Sequence, residues 1–235
     1  MTELEALKAR HSIRKYIDRP LDPDIKDALR KEIILLNAEG DLHMQLVVDE
    51  RRAFSGLLSY GVFSNVSNYI MVVGRKSKSL EYRAGYYAER LVLFAQEIGL
   101  NTCIVGLSYR KVEDAFDIRP DEKVVICIAI GYGADEGKRH KIKAPEQVSN
   151  ISKDTPEWFA EGVDAALLAP TAINQQKFHF EYIAPSNKNG GKAGVRPTTQ
   201  HSLVGYTKID LGIAMCNFEI GAGEDNFVWI DSPLR

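Results

Sequence analysis

The chain has 235 residues, of which 45% are hydrophobic and 26% are charged, and its formal net charge is -2. This apolar fraction is too high for a disordered protein, and 30 basic residues nearly balance 32 acidic ones, so no charge excess favours nucleic acid or a membrane surface as a partner. No apolar run is long enough to span a bilayer, and residues 1–10 lack the apolar core of a secretory signal.

Helical and strand patterns are mixed along the whole chain. Thr2 and Glu5 match a capping box at the start of a first helix, whose apolar spacing continues to Ile13. Further helices are predicted at residues 22–38, 80–99, 111–118, 154–168 and 209–224. Strands are predicted at residues 43–50, 68–76, 122–133, 177–184 and 226–233, and residues 101–107 predict a strand or a loop.

Two segments have weaker patterns. Residues 50–61 predict a short helix or a loop, and residues 186–205, rich in Gly, Asn and Ser, predict an exposed loop. Its part 186–202 either covers an active site or is an insertion. No linker is long enough to separate two domains, so we expect one domain, residues 1–235, built on an internal sheet.

The three cysteines, Cys103, Cys127 and Cys216, lie far apart, each in an apolar stretch. An odd number of buried cysteines is typical of reduced thiols in a cytoplasmic protein. The chain has no C-x-x-C or H-x-x-x-H spacing, so we expect no metal site.

The first segment that can carry chemistry is residues 10–16. If the first helix extends this far, Arg10 and Arg14 lie on one of its faces, with His11 and Ser12 between them. Guanidinium groups bind phosphate oxygens in pairs, and a serine hydroxyl adds a neutral donor, so the segment can hold a phosphate. The alternative is an ordinary solvated helix end.

The second segment, residues 169–178, lies between a predicted helix and a predicted strand. Its amide side chains carry both donors and acceptors, which can match the edge of a heterocycle, and Pro170 restricts the turn that presents them. The alternative is a polar connection without a ligand.

Two further segments are weaker. Gly106, at the end of residues 102–107, can let a flat ligand approach the backbone, although a packed strand end is the simpler interpretation. The basic residues of 137–143 can complete a phosphate site or form a solvated turn.

Taken together along the chain, the four segments resemble the FMN-dependent nitroreductase family. Its R-x-S-x-R signature is matched by Arg10, Ser12 and Arg14, and its G-L-x-T/S-x-x-x-G segment by Gly99, Leu100, Thr102 and Gly106. Its G-Y strand end and later basic position are matched by Gly131, Tyr132 and Lys143, and its A-P-S-x-x-N-x-Q segment by Ala169, Pro170, Thr171, Asn174 and Gln176.

The position of the last segment departs from the usual order. Typical members carry it soon after the first signature, where this chain has residues 35–43, which lack it. The resemblance therefore points to a rearranged or permuted branch with a late A-P-S/T segment. The implied fold is α+β, with a central, mostly antiparallel sheet flanked by helices.

The resemblance implies non-covalent FMN at a homodimer interface. Arg10, Ser12 and Arg14 would hold the phosphate, and His11 would support them or contact the ring. Lys141 or Lys143 would complete the anion site. The backbone near Val105 and Gly106 would donate toward flavin N5. The late segment would face the flavin, from the other subunit, through Pro170, Thr171, Ala172, Asn174 and Gln176.

The implied activity is ping-pong transfer of a hydride from NAD(P)H through the flavin to nitroaromatics, quinones or similar acceptors. The cofactor carries the chemistry, so no catalytic side chain is expected. A G-x-G-x-x-G motif is absent, so a separate Rossmann dinucleotide site is not expected. The alternatives are a flavin-binding sensor or storage protein, or a flavoenzyme of the same fold that carries out dehalogenation or flavin breakdown.

Overall fold

The computed structural model describes residues 1–56, 59, 61–186 and 190–235. Contacts among these residues group them into two compact units. The first unit contains Met1–Leu80 and Arg90–Arg139, and the second contains Glu81–Glu89 and His140–Arg235. In the described part of the chain, no helix combines the length and apolar character that crossing a membrane requires.

The first unit combines helices with a four-stranded sheet. Its helices are α1 (Glu3–Ala9) and α2 (Pro23–Gly40). A third helix, α3 (Leu80–Glu97), belongs to this unit from Arg90 onward. Its strands are β1 (Gln45–Val47), β2 (Asn68–Arg75), β3 (Asn101–Val105) and β4 (Glu122–Gly131). The strand order is β1-β2-β4-β3, and every pair is antiparallel.

Local sequence explains where these helices begin and end. The Thr2 hydroxyl accepts from the Glu5 amide at 3.2 Å, and the Glu5 carboxylate accepts from the Thr2 amide at 2.8 Å, which confirms the predicted capping box. Pro23 occupies the first turn of α2. The predicted stop after α3 is also confirmed, because Gly99 adopts φ +83, a conformation that favours glycine.

One buried cluster of the first unit lies on one face of its sheet, and Ile70, Val72, Ile126, Ile128 and Ile130 are buried on the other face. Alternate residues of a strand point to the same face, and the buried cluster takes such alternate residues from β2, β3 and β4. These residues are Tyr69, Met71, Val73, Cys103, Val105, Cys127 and Ala129.

The second unit contains α4 (Glu157–Ala166), α5 (Thr207–Ala222) and the part of α3 over Glu81–Glu89. Its strands are β5 (Phe178–Ile183), β6 (Ala193–Thr199) and β7 (Phe227–Trp229). β6 pairs antiparallel with β5 and parallel with β7. Ring contacts fill the core between α4, α5 and these strands, and they involve Trp158, Phe159, Phe178, Phe180, Tyr182, Phe218, Phe227 and Trp229.

The mixture of helices and mainly antiparallel strands confirms the α+β class. The strands form two sheets rather than the single internal sheet that we expected. All three cysteines are buried and none forms a disulfide bond, as the sequence indicates. The expectation of one domain stays a prediction.

Residues 111–118 form turns, so the predicted helix is wrong. The reason is tertiary: the Gln45 side chain donates to the Asp117 carbonyl at 2.7 Å and accepts from the Asp117 amide at 2.8 Å. Val112 and Phe116 are buried in the core of the first unit. These long-range contacts replace the hydrogen bonds of a helix.

The predicted loop at residues 186–205 is wrong in its central part, which forms β6. Ala193, Val195 and Pro197 alternate into the core, and the gain from burying them outweighs the Gly and Pro content of the segment. Residues 187–189 lie outside the described residues. In residues 50–61, Arg52–Phe54 form a 3-10 turn, and Leu57, Leu58 and Tyr60 lie outside the described residues.

Candidate functional site

The arginine-rich segment is extended rather than helical. α1 ends at Ala9, and Arg10 has φ -65 and ψ 129, so the prediction that Arg10 and Arg14 share a helix face is wrong. Ser12 instead forms a parallel bridge with Thr102 of β3, and the Ile13 amide donates to the Thr102 carbonyl at 2.9 Å. Pairing with the sheet edge replaces further turns of the helix.

The extended segment still gathers its polar side chains at one place. Alternate residues of an extended chain share a side, and Arg10, Ser12 and Arg14 are alternate residues. Burial raises the pKa of the Cys103 thiol, and the charges of Arg14 and Arg10 and the Ser12 hydroxyl oppose that rise. All three predicted phosphate ligands are therefore within electrostatic reach of Cys103 in β3.

The two guanidinium groups have different surroundings. Arg10 is buried, with 7% of its surface exposed, whereas Arg14 is exposed. Within the described chain, Arg14 forms no ion pair, while exposed arginines elsewhere do, such as Arg19 with Asp22 and Arg196 with Glu181, both at 2.7 Å. Arg14 can therefore bind an external anion without breaking an internal ion pair.

His11, Val105 and Gly106 all belong to the first unit. The His11 Nδ1 atom donates to the Ala9 carbonyl at 2.9 Å. Gly137 adopts φ +71, and a Cβ there would lie 2.8 Å from the His11 Cβ, so the basic turn contacts His11 closely. Val105 ends β3 with its side chain in the core, and Gly106 follows it.

The late motif, residues 169–176, forms a strained loop in the second unit. A 3-10 turn covers Ala172–Asn174, and Ile173, Asn174 and Gln176 have φ of 47, 58 and 46. A left-handed conformation is unusual for any residue other than glycine and is a genuine outlier for a β-branched one. The Ile173 side chain is nevertheless 80% exposed, so its own packing does not stabilise this conformation.

Four of the predicted residues form one hydrogen-bonded cluster. The Gln176 Oε1 atom accepts from the Lys143 amide at 2.9 Å, and its Nε2 atom donates to the Lys141 carbonyl at 2.9 Å and to Asn174 Oδ1 at 2.8 Å. Asn174 Nδ2 donates to the Lys141 carbonyl at 2.8 Å. These amides connect the late motif to the basic segment.

The two lysines of this cluster differ. The Lys143 ammonium donates to the carbonyls of Gln175 at 2.9 Å and Gln176 at 2.7 Å, and burial, assisted by Lys177, lowers the pKa of Lys143. Lys141 is exposed. The Lys143 ammonium therefore stabilises the loop, and Lys141 is the better placed of the two to bind an anion.

Helix α5 supplies an acid that sequence reasoning missed. Asp210 accepts from the Ala172 amide at 3.0 Å and from Gln175 Nε2 at 2.6 Å. Burial raises the pKa of Asp210 to about 6, although both hydrogen bonds oppose the rise. The signal in the sequence is one carboxylate within the apolar run of residues 209–218.

The remaining residues of the motif complete the loop. Thr171 Oγ1 accepts from the Gln176 amide at 3.1 Å, and Pro170, which is partly buried, leads into the turn.

In the described residues, no group of three His, Cys, Asp or Glu side chains is arranged to hold a metal ion.

The fold is similar to that of known proteins. A structure described as a putative nitroreductase from Thermotoga maritima is 23% identical, with a TM-score of 0.64 over 96% of this chain and 85% of that one. A putative nitroreductase from Desulfovibrio desulfuricans, in complex with FMN, is 16% identical, with a TM-score of 0.51 over 66% of this chain and 99% of that one. A nitroreductase family protein from Clostridium difficile is 16% identical, with a TM-score of 0.50 over 66% of this chain and 100% of that one.

These likenesses confirm a nitroreductase-like fold. No match was found among curated proteins. The model of the family described as "Putative TM nitroreductase" matches residues 3–222. Because this match covers nearly the whole chain, the chain belongs to that nitroreductase family, a family of oxidoreductases.

Proposed function

We propose that this protein is an FMN-dependent NAD(P)H oxidoreductase that reduces nitroaromatics, quinones or related acceptors. The observation that carries the proposal is the convergence of Arg10, Ser12 and Arg14 at β3, within a nitroreductase family chain. The related Desulfovibrio structure, which contains FMN, supports the choice of cofactor.

The residues present fit the phosphate of FMN. Two guanidinium groups and a hydroxyl provide several donors for a dianion, and Arg14 forms no ion pair within the described chain. In this proposal His11 supports the segment, and Lys141 adds a point charge rather than a paired contact. Lys143 contributes through its backbone and by holding the loop.

The late motif would face the flavin through the backbone of its loop. The Asn174 and Gln176 amides already hydrogen-bond to Lys141 and Lys143, so their contribution would be to hold the backbone of Pro170, Thr171 and Ala172 in place. Backbone groups near Val105 and Gly106 would donate toward the ring.

Bound FMN would supply hydride transfer between a nicotinamide and an acceptor. The protein would bind the phosphate, orient the ring and admit both substrates to one place in turn, so we expect ping-pong kinetics. We assign no side chain as general acid or base. We further propose a homodimer in which both subunits contact each flavin, and a cytoplasmic location, where the three thiols would stay reduced.

Anaerobic reduction tests this function. The purified protein, supplied with FMN, should be yellow, and NADH or NADPH should bleach it, after which a quinone or nitroaromatic should restore the colour. Dithionite serves as the control reductant. A protein that dithionite bleaches but neither nicotinamide reduces would be a flavin-binding sensor or storage protein, and a protein that does not bind FMN would contradict the proposal.

An acceptor panel then separates reduction of nitroaromatics and quinones from the other chemistry of this fold. Release of halide from a halogenated acceptor would indicate dehalogenation, and loss of flavin absorbance on return to air would indicate flavin breakdown. Turnover of nitroaromatics or quinones with parallel double-reciprocal plots would support the ping-pong scheme.

A further inference from the structure

We infer that Asp210 is a positioning residue, which holds the loop of residues 169–176 in the shape that binds the flavin. The inference rests on the proposed function. Asp210 belongs to the first turns of α5 and is 2% exposed. Its two oxygens are used separately: Oδ1 accepts from the Ala172 amide at 3.0 Å, and Oδ2 accepts from Gln175 Nε2 at 2.6 Å.

Gln175 extends this contact to a second segment. Its Nε2 atom also donates to the Gly205 carbonyl at 2.9 Å, and its Oε1 atom accepts from the Ser202 hydroxyl at 2.5 Å. Two acceptors on one side and a donor on the other set the orientation of the amide. Asp210 thereby connects the loop to residues 202–205 as well as to α5.

The backbone of the loop explains why such a holder is needed. Three non-glycine residues in four positions, Ile173, Asn174 and Gln176, are left-handed. Each such residue is strained and persists only where the surroundings impose its conformation. The hydrogen bonds of Gln176 to the segment Lys141–Lys143 restrain the end of the loop, and Asp210 restrains its middle.

Among the described residues, the Asp210 carboxylate has no cationic partner. Lys208, on the same helix, lies 4.0 Å from Glu81, and the Lys143 ammonium donates to the carbonyls of Gln175 and Gln176. A buried carboxylate that only donors from the loop stabilise is costly to the fold. Both oxygens of this buried acid nevertheless accept from donors of the loop, which points to a role in shaping the loop.

The test compares Asp210→Asn with the wild type, using Asp164→Asn on the exposed side of α4 as the matched control. At pH 8 we expect Asp210→Asn to raise the Kd of FMN about tenfold, the effect of one lost charge-assisted hydrogen bond, with a Tm equal to or above that of the wild type. At pH 5, where the wild-type acid is largely protonated, the Kd ratio should approach one.

Hydrogen exchange provides a readout that does not need flavin. A peptide that contains Ala172 and Gln175 should exchange faster in Asp210→Asn and in Asp210→Ala, while peptides of α4 stay unchanged. Unchanged exchange together with an unchanged Kd would overturn the inference. So would a weaker Kd that comes with a lower Tm and no pH dependence, because general loss of structure would explain it.

The two proposals can fail separately. If the wild type does not bind FMN, the proposed function is wrong, and the exchange of the loop still decides whether Asp210 holds it. If the wild type binds FMN and both Asp210 variants bind it equally well, only the positioning role is wrong.

Discussion

Two charged residues, Arg14 and Asp210, have opposite surroundings. Arg14 is exposed and forms no ion pair within the described chain, so its charge is available to a ligand. Asp210 is buried, and both of its oxygens accept hydrogen bonds from the loop. In our proposals the exposed residue binds the phosphate of FMN, and the buried one holds the shape of the loop.

Arg14→Ala should weaken FMN binding by about 1.5–3 kcal/mol, the value of a hydrogen bond to a charged group. Arg10→Ala should have an effect of the same size. Fluorescence quenching of FMN measures both. Arg30→Ala, which removes an exposed arginine that pairs with Asp27 at 3.2 Å, is the control and should bind FMN as the wild type does. Unchanged affinity in both site variants would refute the phosphate assignment.

The pKa of Asp210 also predicts how stability depends on pH. A carboxyl whose pKa is raised from 3.8 to about 6 is ionised less readily in the folded than in the unfolded chain. Ionisation of Asp210 therefore leaves the free energy of unfolding unchanged below about pH 4 and lowers it progressively as the pH rises to about 6. Above that pH it has lowered the free energy of unfolding by about 3 kcal/mol.

Urea unfolding at several pH values measures this cost. The free energy of unfolding of Asp210→Asn, minus that of the wild type, should rise between pH 4 and pH 6 and then level off. A difference that falls with pH, or that does not change, would show that the acid is not destabilised in the folded state.

At the scale of elements, α5 is a helix buried on nearly all sides. Every residue from Ile209 to Phe218 is buried. Two of its glycines allow neighbouring helices to approach: a Cβ on Gly212 would lie 2.0 Å from the Tyr82 carbonyl oxygen, and one on Gly221 would lie 2.5 Å from the Ala165 Cβ. Close packing of this helix fixes the position from which Asp210 reaches the loop.

Gly212→Ala should destabilise the protein by about 1–3 kcal/mol or more, because the added methyl group overlaps backbone that cannot easily move away. The midpoint of denaturant unfolding measures the effect. Gly56→Ala is a suitable control, since a Cβ there meets no atom within 4 Å. Equal midpoints for the two variants would show that α3 and α5 are less closely packed than described.

At the scale of the whole molecule, the proposed flavin site requires two chains. Sedimentation equilibrium of the FMN-loaded protein should give twice the chain mass of 26.3 kDa, with one FMN per chain. A monomer that retains FMN at micromolar concentration would contradict the shared site. The same sedimentation measurement on Arg14→Ala should show a dimer that has lost FMN.

The sequence by itself determined the elements whose signals are local. The capping box of Thr2 and Glu5, the apolar strands β2 and β4 and the stop at Gly99 depend on neighbouring residues, so periodicity and caps predicted them. Family motifs likewise identified the residues near β3 and those of the late loop, because motifs record which residue types are present.

The tertiary structure alone decided how those residues are used. Arg10–Arg14 is extended because Thr102 offers a sheet edge, and residues 111–118 form turns because Gln45 bonds to Asp117. Asp210 meets Ala172 across 38 positions of the chain. Hydrogen bonds between residues far apart in the sequence leave no local pattern, and only packing brings their partners within reach.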